Sequence, residues 1–175
     1  MDRPANTPRE VEGLPRSGAT QPLPGVGKVA ALNELALSPK LVGFDSKDIR
    51  SRPFNLLRAQ LLKKLTESGA RLVGITSPAP NAGKSFVASN LAASMSQLAN
   101  KTVFLVDLDL RRASVGEVFG ISDTPGVGSY LTEDTEALID VGRQIGATNL
   151  TVYPTDPVNV SSSELMVSPR MDVLL

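Results

Sequence analysis

Leu72-Val73-Gly74-Ile75-Thr76 followed by Ser77-Pro78-Ala79-Pro80-Asn81-Ala82-Gly83-Lys84-Ser85 is the stretch that decides the fold. An apolar run enters a Pro/Asn/Gly loop, and Gly83, Lys84 and Ser85 open a segment with helical spacing. The order is strand, phosphate loop, helix. Phosphates are anionic, and a tight loop at a helix N-terminus turns unpaired backbone N–H groups toward them. Gly83 lets the backbone approach closely, Lys84 is placed to reach the β- and γ-phosphates, and the Ser85 hydroxyl is placed to ligate Mg²⁺. The candidate nucleotide contacts are therefore Pro80, Asn81, Ala82, Gly83, Lys84, Ser85 and Phe86. In the pattern GxxxxGK[ST] the first glycine falls where this chain has Pro78.

Downstream, Val87, Leu91, Met95 and Leu98 recur at helical intervals, with Asn100 as a stop. Thr102 to Val106 then forms a continuous apolar run, the pattern of a parallel strand covered on both faces. Asp107 and Asp109 stand at its C-terminal end. Ligands of open parallel sheets bind beyond the carboxyl ends of the strands, so loop and aspartates are expected to converge. Aspartate is a residue type that holds Mg²⁺ or its waters beside a triphosphate. A purely structural role, ending the strand and capping the next helix, is the competing reading. The expected architecture is α/β: a P-loop NTPase with a doubly wound, mostly parallel sheet and helices on both faces.

The two segments together resemble the bacterial tyrosine kinases of capsular and exopolysaccharide synthesis. Thr76 to Ser85 is similar to that family's variant Walker A, which has proline where Pro80 stands, and Val103 to Arg111 to its second motif, apolar residues followed by DxDxR. Asp107, Asp109 and Arg111 match that second motif, and the likeness runs from about Phe44 to Leu175. The related partitioning and division-site ATPases carry a signature lysine at the position of Ala79, which separates this chain from that branch.

The resemblance implies ATP and Mg²⁺ as cofactors and transfer of the γ-phosphate to protein tyrosine. Lys84 would hold phosphate, and Ser85, Asp107 and Asp109 would hold the metal. Asp107 or Asp109 would orient metal-bound water or accept the tyrosine proton, a choice the sequence leaves open. Arg111 would steady the aspartates or the substrate. It also implies a membrane-embedded partner that governs polysaccharide chain length. The family's ring-forming ExxRxxR motif aligns with Arg52, Asn55 and Arg58, so only its last residue is kept and a homo-oligomer of that kind is disfavoured. A non-kinase regulator that binds nucleotide and controls chain length or export is the alternative reading. In the family, a strand with the Walker B aspartate and a tyrosine-rich tail come next, so the chain reads as the first part of a domain of about 250 residues. Its two tyrosines, Tyr130 and Tyr153, form no cluster.

Composition narrows the chemistry. The 175 residues are 41% apolar, and 18 Lys plus Arg balance 18 Asp plus Glu, so no general pull toward nucleic acid is expected. Cysteine and histidine are absent, which excludes disulfides, Cys/His zinc sites and His-based nucleophile systems within these residues. No apolar run reaches about 18 residues and the N-terminus lacks a signal peptide's apolar core, so a cytoplasmic location is expected, with recruitment to the membrane by a partner.

Three regions follow. Residues 1–27, rich in Pro, Gly and Ser, read as a disordered tail. Residues 28–69 read as a helical segment: a short helix over Val29–Leu37, a short edge strand at Leu41–Phe44, and an amphipathic helix from Pro53 to Gly69 with Phe54, Leu57, Leu61, Leu62 and Leu65 on one face. Residues 70–175 read as the nucleotide-binding domain. Its later part is expected to hold a short helix to Phe119, a loop from Gly120 to Ser129, a helix over Thr135–Ile145 and a strand at Leu150–Tyr153. A helix capped by Ser161 with Glu164, and another opened by Ser168 and Pro169, complete it.

Overall fold

The computed structural model describes residues 28–30 (backbone only), 38–121, 125–158 and 161–175. The tail expected over 1–27 lies outside the described residues, as do residues 31–37 of the helix expected over Val29–Leu37. In chain order the elements are β1 (Lys28–Ala30), α1 (Arg52–Ser68), α2 (Lys84–Met95), β2 (Val103–Val106), α3 (Ser114–Phe119), α4 (Val127–Leu131), β3 (Arg143–Ile145), β4 (Leu150–Tyr153), α5 (Ser162–Leu165) and α6 (Pro169–Leu174).

The sheet order is β1-β3-β4-β2. β1 runs parallel to β3, and β2 parallel to β4, with Val103 opposite Leu150 and Val106 opposite Tyr153. β3 and β4 are antiparallel. The sheet is therefore mixed. Successive side chains of a strand point to opposite faces, and the core divides accordingly. Leu150 and Val152 join Phe44, Ala93, Val103, Val115 and Phe119 in one cluster, whereas the next residue, Tyr153, joins Leu110, Val127, Tyr130, Leu131, Val141 and Met171 in the other. Each large apolar side chain fully buried here contributes about 1.5–3 kcal/mol.

α1 begins with Pro53 in its first turn and ends at Gly69, whose φ of 70° is the left-handed conformation of a helix C-terminus. Phe54 is the buried residue of its apolar face and meets Phe86 edge to face at 5.6 Å. Two polar residues of α1 reach across to α2. Arg58 donates to the Ser94 carbonyl at 2.5 Å and Asn55 accepts from the Ser94 hydroxyl at 2.8 Å, so α1 is strapped to α2.

Several expected elements are absent or different. Leu72–Thr76 is not a strand: Leu72, Val73 and Ile75 are 68%, 40% and 37% exposed, and no described residue pairs with them. An apolar strand needs ladder partners to satisfy its backbone, and the free edge of β2 is not used for this purpose. Leu41–Phe44 is also not a strand. Val42, Gly43 and Phe44 are buried, and the first two bond a side chain of α2 in place of a sheet. Val29 and Ala30 lie in β1, not in a helix.

Thr135–Ile145 forms a single 3-10 turn at Leu138–Asp140 and then β3, all three of whose residues are buried. Pairing with β4 overrides the local helical pattern, and Gly142 permits it, because a Cβ there would lie 2.9 Å from the Tyr153 ring. The loop expected up to Ser129 instead gives way to α4 at Val127. Ser161 precedes α5 as expected, but its hydroxyl pairs with Ser163 and not with the helix backbone.

Candidate nucleotide site

α2 opens directly from the loop, and Gly83 supplies the bend with φ of 89°. Nothing lies within 4 Å of where a Gly83 Cβ would sit, so the requirement is conformational and not steric. Asn81 is left-handed as well, with φ of 58°, a conformation that Asn tolerates better than most residues. The loop thus turns twice before the helix begins.

In front of it lies a cavity of about 590 Å³ lined by the loop residues Asn81 to Phe86 together with Lys40, Asp109, Arg112 and Ser114. Lys84 Nζ is 3.9 Å from Asp109 Oδ2, both side chains being 29% exposed. The Ser85 and Ser114 hydroxyls are 2.6 Å apart. Three cations and one carboxylate in the lining suit an anionic guest.

Asp107 ends β2 and is only 5% exposed. Its Oδ1 accepts from the Asp109 N–H at 3.0 Å and its Oδ2 from the Val115 N–H at 3.1 Å. Its own N–H donates to the Tyr153 carbonyl at 3.0 Å. Burial pushes the Asp107 carboxyl above the ordinary carboxylate range, against the opposing pull of those two N–H groups. Asp107 therefore shapes the turn that delivers Asp109, and Asp109 is the aspartate facing the cavity.

The structure brings together Asn81, Ala82, Gly83, Lys84, Ser85, Phe86 and Asp109. Pro80, Asp107 and Arg111 lie outside the lining, and Arg111 is exposed. The cation that the DxDxR turn delivers is Arg112, whose Nη1 donates to Asn81 Oδ1 at 2.8 Å. The turn between Asp109 and Ala113, closed by hydrogen bonds from the N–H groups of Arg112 and Ala113 to the Asp109 carbonyl, reverses which arginine faces the loop. Lys40, Arg112 and Ser114 are site residues that sequence reasoning missed. Ser114 and Arg112 had a signal in their closeness to the second motif, and Lys40 had none.

The donor chemistry fits Mg²⁺. Ser85 and Asp109 offer hard oxygen ligands at the cavity, and among the described residues no group of three His, Cys, Asp or Glu forms an all-protein metal cage. Mg²⁺ is commonly held in this way, by one or two protein oxygens with water and phosphate oxygens completing the shell.

Fold and site together define an α/β protein whose loop-to-helix junction carries a cation-rich cavity faced by Asp109, on the turn that follows β2. No protein-family model matches the sequence. It is 34% identical over 119 residues to the tyrosine-protein kinase etk of Escherichia coli K12 and 31% identical over 137 residues to the tyrosine-protein kinase ptk of Acinetobacter johnsonii, covering 68% and 78% of this chain. Those stretches are 16% and 18% of the two relatives. The solved kinase domain of the E. coli tyrosine kinase ETK superposes with a TM-score of 0.69 at 30% identity, over 79% of this chain and 53% of that one. The BceF tyrosine kinase domain gives 0.65 at 28% identity, over 79% and 54%. The chain is homologous to bacterial tyrosine kinases, spanning about half of these kinase domains and under a fifth of the curated relatives.

Proposed function

We propose that this chain forms the ATP–Mg²⁺-binding part of a tyrosine kinase of capsule or exopolysaccharide biosynthesis, with the P-loop NTPase arrangement of that class. The observation that carries the reading is the convergence of Lys84, Ser85 and Asp109 on one cavity at the start of α2. Phosphoryl transfer asks little covalent chemistry of a protein; it needs positioning and neutralisation of spreading charge. Here the loop amides and Lys84 hold the phosphates, and Ser85 and Asp109 hold Mg²⁺, directly or through water. Asp107 orients the turn and adds a second carboxylate behind it. Mg²⁺, held by Ser85 and Asp109, would supply positive charge to neutralise what develops on the transferring phosphoryl group.

The acceptor hydroxyl comes from outside the folded core. Tyr130 and Tyr153 are 5% and 7% exposed and both belong to the second apolar cluster. The same burial supports a second reading, a nucleotide-binding regulator of polysaccharide chain length or export with no kinase chemistry of its own. In either case the site acts on the cytoplasmic side, recruited by a membrane-embedded partner. Among the described residues no helix is long and apolar enough to cross a membrane.

Lys84→Met tests the reading. It removes the charge at the cavity floor and is expected to abolish ATP–Mg²⁺ binding measured by calorimetry; unchanged affinity refutes the proposal. Transfer of labelled phosphate to a tyrosine-containing peptide separates the kinase from the regulator.

A further inference from the structure

The cavity has a cation that neither motif contains. Lys40 lies far upstream of the loop and lines the same space as Lys84, Ser85 and Arg112. Lys84 is committed to Asp109 and Arg112 to Asn81, whereas the Lys40 ammonium has no ion-pair or hydrogen-bond partner among the described residues.

Its backbone is held firmly, and by the helix that the loop opens. Asn90, on α2 and 1% exposed, uses all four hydrogen-bonding positions of its amide. Oδ1 accepts from the N–H groups of Val42 and Gly43 at 2.7 and 3.0 Å. Nδ2 donates to the carbonyls of Lys40 and Phe86 at 3.2 and 2.9 Å. One side chain therefore joins the first turn of the loop helix to the backbone of Lys40. Upstream, the Ser38 N–H donates to the Val118 carbonyl at 3.0 Å, and the Ser38 hydroxyl accepts from the Lys40 N–H at 3.3 Å. The segment lies so close on α2 that a Cβ at Gly43 would come within 2.2 Å of the Asn90 carbonyl oxygen. Lys40 itself is exposed; what this anchoring fixes is its backbone beside the cavity.

We propose that Lys40 is a further phosphate-binding residue of this site, contacting the polyphosphate tail of a nucleoside triphosphate, and that Asn90 is the positioning residue that presents it. The inference rests on the nucleotide-binding reading above. Lys40 supplies an uncompensated positive charge from a separate segment of the same lining, so that loop and segment both help to hold the incoming phosphates. Asn90 ties the loop helix to the upstream segment, which fixes the Lys40 backbone relative to the loop.

The test is ATP–Mg²⁺ affinity of the full chain by calorimetry, with urea unfolding alongside. A charge-assisted contact of this kind is expected to be worth about tenfold in affinity. Lys40→Met is expected to lose that factor at unchanged unfolding midpoint, and Lys40→Arg to restore most of it. Asn90→Ser is expected to weaken binding in the wild-type background and to add nothing in the Lys40→Met background, a dependence that mere loss of fold would not produce. If Asn90→Ser does not fold, the Lys40 pair decides alone. Full affinity in Lys40→Met while Lys84→Met loses binding overturns this inference and leaves the nucleotide site standing. Absence of ATP–Mg²⁺ binding by the wild-type chain overturns both.

Discussion

Gly43→Ala is the substitution whose effect the structure sets most sharply. The new methyl would sit 2.2 Å from the Asn90 carbonyl oxygen, 3.0 Å from its carbon and 2.9 Å from the Ala93 Cβ. The oxygen and carbon belong to the backbone of α2, and Ala93 is fully buried, so the helix has nowhere to retreat. The 40–44 segment must lift instead by about an ångström to reach ordinary contact distance. That movement stretches both hydrogen bonds from Val42 and Gly43 to Asn90 Oδ1 and draws Phe44 from its edge-to-face contact with Phe119 at 6.4 Å. Overpacking costs about 1–3 kcal/mol and each weakened hydrogen bond about 1, giving a loss of about 3–5 kcal/mol. Urea unfolding of variant and wild type measures it. Gly69→Ala is the control: φ is 70° with open space around it, so only the left-handed backbone is strained, for about 1 kcal/mol. A loss below 1 kcal/mol for Gly43→Ala, or one no larger than that of Gly69→Ala, refutes the close packing of this segment on α2.

Asp107 gives a pH prediction. Its folded carboxyl lies above the ordinary range, chiefly through burial, so the folded state binds its proton more tightly than the unfolded chain does. Its contribution to stability is then greatest at low pH and falls as pH rises from the ordinary carboxylate range through the raised value. The stability of wild type relative to Asp107→Asn should therefore decline over that interval and level off above it. A flat or rising difference in urea unfolding against pH contradicts the assignment. Ala113 holds φ of 48° at the turn before α3. Ala113→Gly should relieve that conformation and stabilise by about 0.5–1 kcal/mol, raising the melting temperature by about 1–4 °C, and a lower melting temperature would contradict the strain.

The chemistry-bearing parts were legible because they are local. Gly83-Lys84-Ser85 opens a helix, and Asp107 and Asp109 follow an apolar strand, since both features follow from spacing within a single turn or strand. Pro53, Gly69 and Pro169 marked helix ends by the same local rules. The strands at Val103–Val106 and Leu150–Tyr153 were also legible, but other features that depend on a distant partner went unread. Leu72–Thr76 and Leu41–Phe44 have strand composition, but a strand is defined by its ladder, and only tertiary structure supplies one. Gln144 is buried opposite Thr151 in β3, inside a window whose periodicity is helical.

The site divides along the same line. Residue types and spacing pointed to the start of α2 and the end of β2 as the place where the loop and an aspartate converge. Tertiary structure alone decided that Asp109 rather than Asp107 faces the cavity, that Arg112 and not Arg111 reaches the loop, and that Asn90 carries Lys40 to the same place. Side-chain direction at a turn, and contact between segments far apart in sequence, depend on how the backbone folds in three dimensions, which spacing along the chain does not encode.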